Sequence, residues 1–225
     1  MIDQDLLPRL WALTDEEFEA RYGPLARLDP GEAAGLLDGL DAPWWIVGGW
    51  AIEAFTGVHR AHDDVDLSVL ADDVPRLFTH LDGHHHLWLA GGGMLCPMLT
   101  VDQAVPEWVN QLWVRTDATG PWLLDIIIAP TEDGRWVFRR DPSVTATLDD
   151  VTWVADDGLR YQRPEVTLAF KAAHARAKDM ADLEAALPAL DVEARAWLTD
   201  TVARLHPGHA WLDRLRNRED GGPHS

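Results

Sequence analysis

Gly48-Gly49-Trp50 directly follows the apolar run Trp44-Trp45-Ile46-Val47, and Asp64-Val65-Asp66 stands a short way downstream. In a strand, residues i and i+2 point to one face. Asp64 and Asp66 are therefore expected side by side, opposite Val65 and Leu67. Adjacent carboxylates repel unless a cation neutralises them, and hard oxygen ligands suit Mg²⁺. The free backbone N–H groups of a Gly-Gly turn can cradle phosphate. Together these residues read as a metal–nucleotide site. A third acid, Asp125, is the lone charge in the apolar run Trp122-Leu123-Leu124-Asp125-Ile126-Ile127-Ile128. A buried, unpaired carboxylate is costly, so Asp125 needs a metal, a base or hydrogen bonds. If its strand lies beside the Asp64–Leu70 segment, three carboxylates converge. Three can hold two Mg²⁺ ions against a triphosphate, the arrangement for phosphoryl and nucleotidyl transfer.

The elements that must position these residues alternate. Thr14-Asp15-Glu16-Glu17 is a capping box that opens a short helix to about Tyr22, and Asp29-Pro30-Gly31-Glu32 opens another to about Leu40. Trp44–Val47 is the first buried strand, Trp50–Phe55 has helical spacing, and Asp64–Leu70 is the second strand. A helix from Asp72 to about Leu81 follows. His84–Leu89, Val109–Thr116 and Trp122–Ile128 read as further strands, the last two joined as a hairpin through Asp117–Pro121. Trp136–Phe138 and Val151–Val154 are shorter strand candidates. After Arg163-Pro164 the period becomes helical, through Leu168, Ala172, Ala175, Met180, Leu183 and Leu187, then Asp191–Leu205 and His209–Arg218. The fold class is α/β in the α+β sense: a mixed sheet with flanking helices over residues 1–160 and a C-terminal helical part over residues 161–225. The tail, Glu219–Ser225, reads as frayed.

With 225 residues and twelve Trp the chain can build a sizeable core. The single cysteine, Cys96, excludes an internal disulfide and fits a reducing compartment. Residues 1–5 are acidic without a signal-peptide pattern, and no apolar run approaches membrane-spanning length, so a soluble cytoplasmic protein with no membrane partner is expected. The formal charge of −19 argues against nucleic acid as a partner and permits a cationic small substrate. Lysine occurs only at 171 and 178, against seventeen Arg. Lys171 could reach phosphate or snorkel to solvent; Lys178 could do the same or pair with Asp182 at i,i+4. Arg60 could hold triphosphate or simply be exposed. His62 could orient an acid or cap the strand. His84-His85-His86 resembles a metal tract, but alternate residues on a strand face opposite ways. Trp50 and Trp108 are candidates to line a ligand cleft.

The order Gly-Gly-Trp, helix, Arg-Ala-His-Asp-Asp-Val-Asp, then a later strand Asp resembles the DNA polymerase β-type nucleotidyltransferase superfamily. Within it the chain is similar to the aminoglycoside 2″-adenylyltransferases and lincosamide nucleotidyltransferases. The motifs cover residues 44–128, and Arg163–Lys171 with Lys178–Leu183 resembles the helical part of those enzymes. The resemblance implies that Gly48 and Gly49 contact phosphate, that Asp64, Asp66 and Asp125 hold metal, and that Asp125 also serves as base for the acceptor hydroxyl. Arg60, Lys171 and Lys178 are the further nucleotide-contact candidates. The implied reaction is Mg²⁺-dependent transfer of a nucleoside monophosphate, AMP first, from ATP or another NTP to a hydroxyl of a small molecule. An aminoglycoside or lincosamide-like antibiotic would be such an acceptor. Two other readings stand beside it: a protein-modifying nucleotidyltransferase of a toxin–antitoxin module, and a non-catalytic nucleotide-binding module.

Overall fold

The computed structural model describes residues 13–217; the acidic stretch at 1–5, the last residue of the expected final helix and the expected frayed tail lie outside them. In chain order the elements are α1 (Asp15–Tyr22), α2 (Pro30–Leu36), β1 (Trp44–Ile46), α3 (Gly48–Thr56), β2 (Asp66–Leu70) and, after a 3₁₀ turn at Ala71–Asp73, α4 (Val74–Leu81). Next come β3 (His86–Gly91), β4 (Met94–Pro97), β5 (Gln111–Arg115), β6 (Trp122–Ala129), β7 (Thr131–Glu132), β8 (Arg135–Val137) and β9 (Thr145–Ala146). The chain closes with α5 (Leu148–Val151), β10 (Thr152–Val154), β11 (Arg160–Gln162), α6 (Pro164–Lys171), α7 (Ala177–Ala186), α8 (Val192–Leu205) and α9 (Trp211–Arg216). Both expected capping boxes form, Thr14 with Glu17 and Asp29 with Glu32.

A mixed sheet runs in the order β10-β11-β1-β2-β6-β5-β3-β4, and β7-β8-β9 make a small second sheet. β2 lies antiparallel to β1 and parallel to β6, while β5 and β6 form the expected antiparallel hairpin. Alternation along the strands gives the large sheet two differently used faces. Leu67, Val69, Leu112, Val114, Ile126 and Ile128 form one core with Val74, Leu77, Phe78 and Leu81 of α4. On the other side Trp45 and Ile52 join Leu168, Leu183, Leu198 and Trp211 of the C-terminal helices in a second core. Among the described residues no helix is long and apolar enough to cross a membrane.

Three expectations change. The second strand begins at Asp66, not Asp64, because the Asp64 carbonyl accepts from the Trp50 indole rather than from a neighbouring strand. The two lysines lie on different helices: α6 ends at Lys171, a turn with Ala175 at φ 45° follows, and α7 begins at Ala177. The strand expected from His84 starts at His86, since His84 and His85 are still bonded back to the Leu81 carbonyl at the end of α4.

Candidate active site

Gly48 and Gly49 open α3 rather than forming a free turn. The N-cap, Val47, has no side-chain cap, and its own N–H donates to the Asp66 carbonyl at 2.9 Å. The first turn of α3 therefore has no side-chain cap, and a helix N-terminus favours an anion. Gly48 has φ 69°, and a Cβ there would lie 2.5 Å from Asp66 Oδ2. A Cβ on Gly49 would run into the Arg60 guanidinium and the His62 ring. Gly49→Ala should therefore displace Arg60 and cost about 1–3 kcal/mol of stability. Thermal melting checks this: an unchanged melting temperature would mean that Arg60 moves aside freely.

Asp66 and Asp125 are direct partners across β2 and β6, so both carboxylates stand on one face of the sheet. Asp64 precedes β2 and is close enough to act on both. Burial first, and then the Asp64 charge, push the Asp66 carboxyl up to about 6, against the pull of Lys171, Lys178 and Arg176. Burial, then Asp66 and Asp64, raise the Asp125 carboxyl well above the usual carboxylate range. Asp125 Oδ2 accepts a hydrogen bond from Gln111 Nε2 at 2.7 Å, while Oδ1 is buried without a well-formed bond, the Trp113 indole N–H being the donor that faces the carboxyl. Among the described residues no three His, Cys, Asp or Glu side chains are drawn together into a ready-made metal centre. The donor set nevertheless fits a divalent cation. The oxygens are hard, their mutual repulsion is what a cation relieves, and one buried oxygen lacks a well-formed hydrogen bond.

The cations are themselves paired. Arg60 grips Asp182 with a fork, Nε to Oδ1 at 3.0 Å and Nη2 to Oδ2 at 3.3 Å. Lys171 is buried, not snorkelling: its ammonium lies 2.9 Å from Asp182 and 3.4 Å from Asp179. Arg176 completes the chain through Asp179. Asp182 is thus taken by Arg60 and Lys171 rather than by Lys178, which is exposed yet still felt by Asp66. Glu53 on α3 organises the segment that leads to the acids. Its Oε1 lies 2.7 Å from His59, and its Oε2 lies 2.8 Å from His62 and accepts from the Arg60 backbone at 3.1 Å. His62 stacks on Trp50 at 4.0 Å. No role at the site was expected of Glu53, Gln111 or Asp179, and Asp182 was expected only as a partner of Lys178. For the two aspartates the available signal was their i,i+3 spacing on a helix whose Leu183 and Ala186 are buried.

No curated protein matches the chain. Among solved structures, ANT(2″)-Ia in complex with adenylyl-2″-tobramycin is 17% identical and aligns with a TM-score of 0.49 over 77% of this chain and 95% of its own. The solution structure of the antibiotic-resistance factor ANT(2″)-Ia is 18% identical, with a TM-score of 0.48 over 76% and 88%. The lincomycin-bound lincosamide antibiotic adenylyltransferase LnuA is 17% identical, with a TM-score of 0.47 over 71% and 97%. Residues 32–87, the stretch that carries Gly48, Gly49, Asp64 and Asp66, match the family model of the aminoglycoside-2″-adenylyltransferases, and over that stretch the chain is similar to this family.

Proposed function

We propose that this chain is a nucleotidyltransferase that moves AMP from ATP to a hydroxyl of a small-molecule acceptor. The observation that carries the reading is the pairing of Asp66 with Asp125 beside the uncapped first turn of α3, within and next to the segment that matches the family model. Gly48 and Gly49 lend backbone N–H groups to the phosphates, and Lys171, Lys178 and Arg60 set the positive side of the cleft. Asp64, Asp66 and Asp125 would hold Mg²⁺, two ions if all three acids serve, and the metal would neutralise the triphosphate and polarise its α-phosphate. Asp125 takes the proton of the acceptor hydroxyl. The freed oxygen bonds to the α-phosphorus, the bond to the β-phosphate oxygen breaks, and pyrophosphate leaves.

The helical part, residues 161–225, brings Lys171 and Lys178 to the nucleotide domain, residues 1–160. The acidic chain favours a cationic acceptor, and the family match points to an aminoglycoside or related antibiotic met in the cytoplasm. The test is incubation of the protein with Mg²⁺, each NTP in turn, and tobramycin, lincomycin or neutral glycerol, scored by pyrophosphate release and product mass. An adenylylated small molecule is the expected result. Nucleotide mass appearing on a protein instead would replace this reading with a protein-modifying one, and no pyrophosphate under any condition would end it.

A further inference from the structure

Asp64 and Asp66 differ in how their backbone is held. Asp66 belongs to β2, whose ladder with β6 sets it opposite Asp125. Asp64 has no strand to fix it, since residues 57–65 form no regular structure. Each acid is nevertheless tied, through its own carbonyl, to a residue that brackets the two glycines of α3. The Val47 N–H donates to the Asp66 carbonyl at 2.9 Å, and the Trp50 indole Nε1–H donates to the Asp64 carbonyl at 3.0 Å. One bond thus comes from each side of Gly48-Gly49. The first is made by backbone and the second by a side chain.

The indole is itself held in place. It lies flat on the His62 ring, with centroids 4.0 Å apart and planes 18° apart. His62 Nε2 lies 2.8 Å from Glu53 Oε2, which also accepts from the Arg60 backbone. Trp50 and Glu53 stand three residues apart on α3, so they share a face and grip the irregular segment at two points. Burial of an indole does not by itself demand such a bond in this chain. Trp45, Trp88, Trp153 and Trp211 bury their indole nitrogens with no acceptor among the described residues. The Trp50 indole instead donates to the carbonyl of an acid that no strand fixes.

We propose that Trp50 is a positioning residue for the divalent cation, its indole N–H supplying the hold on Asp64 that strand pairing gives Asp66. The inference rests on the nucleotidyltransferase reading and deepens it. Through Val47 and Trp50, the anion-favouring end of α3 and the two acids keep a fixed relation before any ligand arrives. Such a site works only when its ligating groups are held to within about 0.5 Å, and partners behind a ligating residue do that holding. Without the indole bond Asp64 keeps its charge and loses its fixed place. Cation affinity then falls while the first turn of α3 stays intact.

The experiment measures Mn²⁺, standing in for Mg²⁺, by the loss of its free EPR signal in the presence of α,β-methylene ATP. It compares wild type, Trp50→Phe, His62→Ala and Asp66→Asn. Asp66→Asn gives the Mn²⁺ held by the acidic surface and the analogue alone. Trp50→Phe keeps a ring on His62 and removes the N–H. It should weaken Mn²⁺ binding about tenfold, the lower end of the cost of losing a partner behind a metal ligand, with affinity for the analogue in EDTA unchanged. His62→Ala removes the ring under the indole and should weaken Mn²⁺ binding by a smaller factor. Wild-type Mn²⁺ affinity in folded Trp50→Phe, or in His62→Ala should Trp50→Phe not fold, overturns the positioning and leaves the nucleotidyltransferase reading standing. A wild type that binds Mn²⁺ but releases no pyrophosphate with any acceptor removes that reading alone. A wild type that holds no more Mn²⁺ than Asp66→Asn removes both.

Discussion

Asp66→Asn is expected to lower nucleotidyl transfer by at least about a hundredfold, the scale of losing one preorganised electrostatic contact in a transition state. Asp64→Asn should do the same. The expectation separates chemistry from folding because Asp66 stands among like charges. Its carboxyl is pushed up to about 6, chiefly by burial and then by Asp64. An acid whose folded-state pKa is raised weakens the fold progressively as pH climbs from its ordinary value to the raised one, and the whole penalty is present above it. At neutral pH the neutral amide therefore leaves the melting temperature equal or higher. Steady-state rates and thermal melting on one preparation decide the matter. Near-native turnover in folded Asp66→Asn would remove Asp66 from the reacting machinery, and loss of turnover together with a lower melting temperature would make its role structural.

Asp182→Asn should have the largest effect on stability. Asp182 is 3% exposed and balances two cations, Arg60 and Lys171. Removing one partner from a buried ion pair leaves uncompensated charge and costs about 3–5 kcal/mol. Arg60 is partly exposed, so the lower end of that range applies. The exposed pair of Arg214 with Glu184, at 3.5 Å, is the control. Glu184→Gln should cost about 0.5 kcal/mol or less, as surface pairs do. Asp182→Asn should also weaken ATP binding about tenfold, the effect of about 1.4 kcal/mol, because it loosens both side chains that border Gly49 and Asp66. Denaturant unfolding and nucleotide titration check the two parts. A loss no larger than that of Glu184→Gln would mean that Lys171 and Arg60 find other partners.

What could be read in the sequence was local. The capping boxes at Thr14 and Asp29 and the hairpin through Asp117–Pro121 are set by side chain–backbone bonding within a few residues. Asp125 stood out because one charge in an apolar strand has few uses, and the structure sets it opposite Asp66. The parallel pairing of β11 with β1 was not legible. β11 is three residues long, and its place depends on a contact between segments more than a hundred residues apart. Its hairpin partner was marked by Asp157-Gly158, a turn signal that the short strands around it made easy to overlook. Asp179 and Asp182 looked like solvated helix residues because spacing alone cannot tell an exposed i,i+4 pair from an acid buried under another helix. Glu53 was hidden for the same reason: its partners come from a segment with no regular structure, so no periodicity points to them.

Glu53 also fixes how the approach to Asp64 behaves in acid. Burial works against its charge, but bonds from His59, His62 and the Arg60 backbone outweigh burial and hold its pKa below the ordinary Glu value. A carboxylate with a depressed folded-state pKa contributes stability above its unfolded pKa and loses it as pH falls through the lower, folded one. The segment from His59 to His62 therefore stays tethered through the weakly acidic range. Over that same range a chain of formal charge −19 sheds the repulsion that keeps its copies apart. Acidification should thus bring colloidal failure before local release: turbidity rises at a pH where the fluorescence of Trp50, stacked on His62, is still native. The weak-acid limit on this protein is set by its surface and not by the segment that leads to its acids.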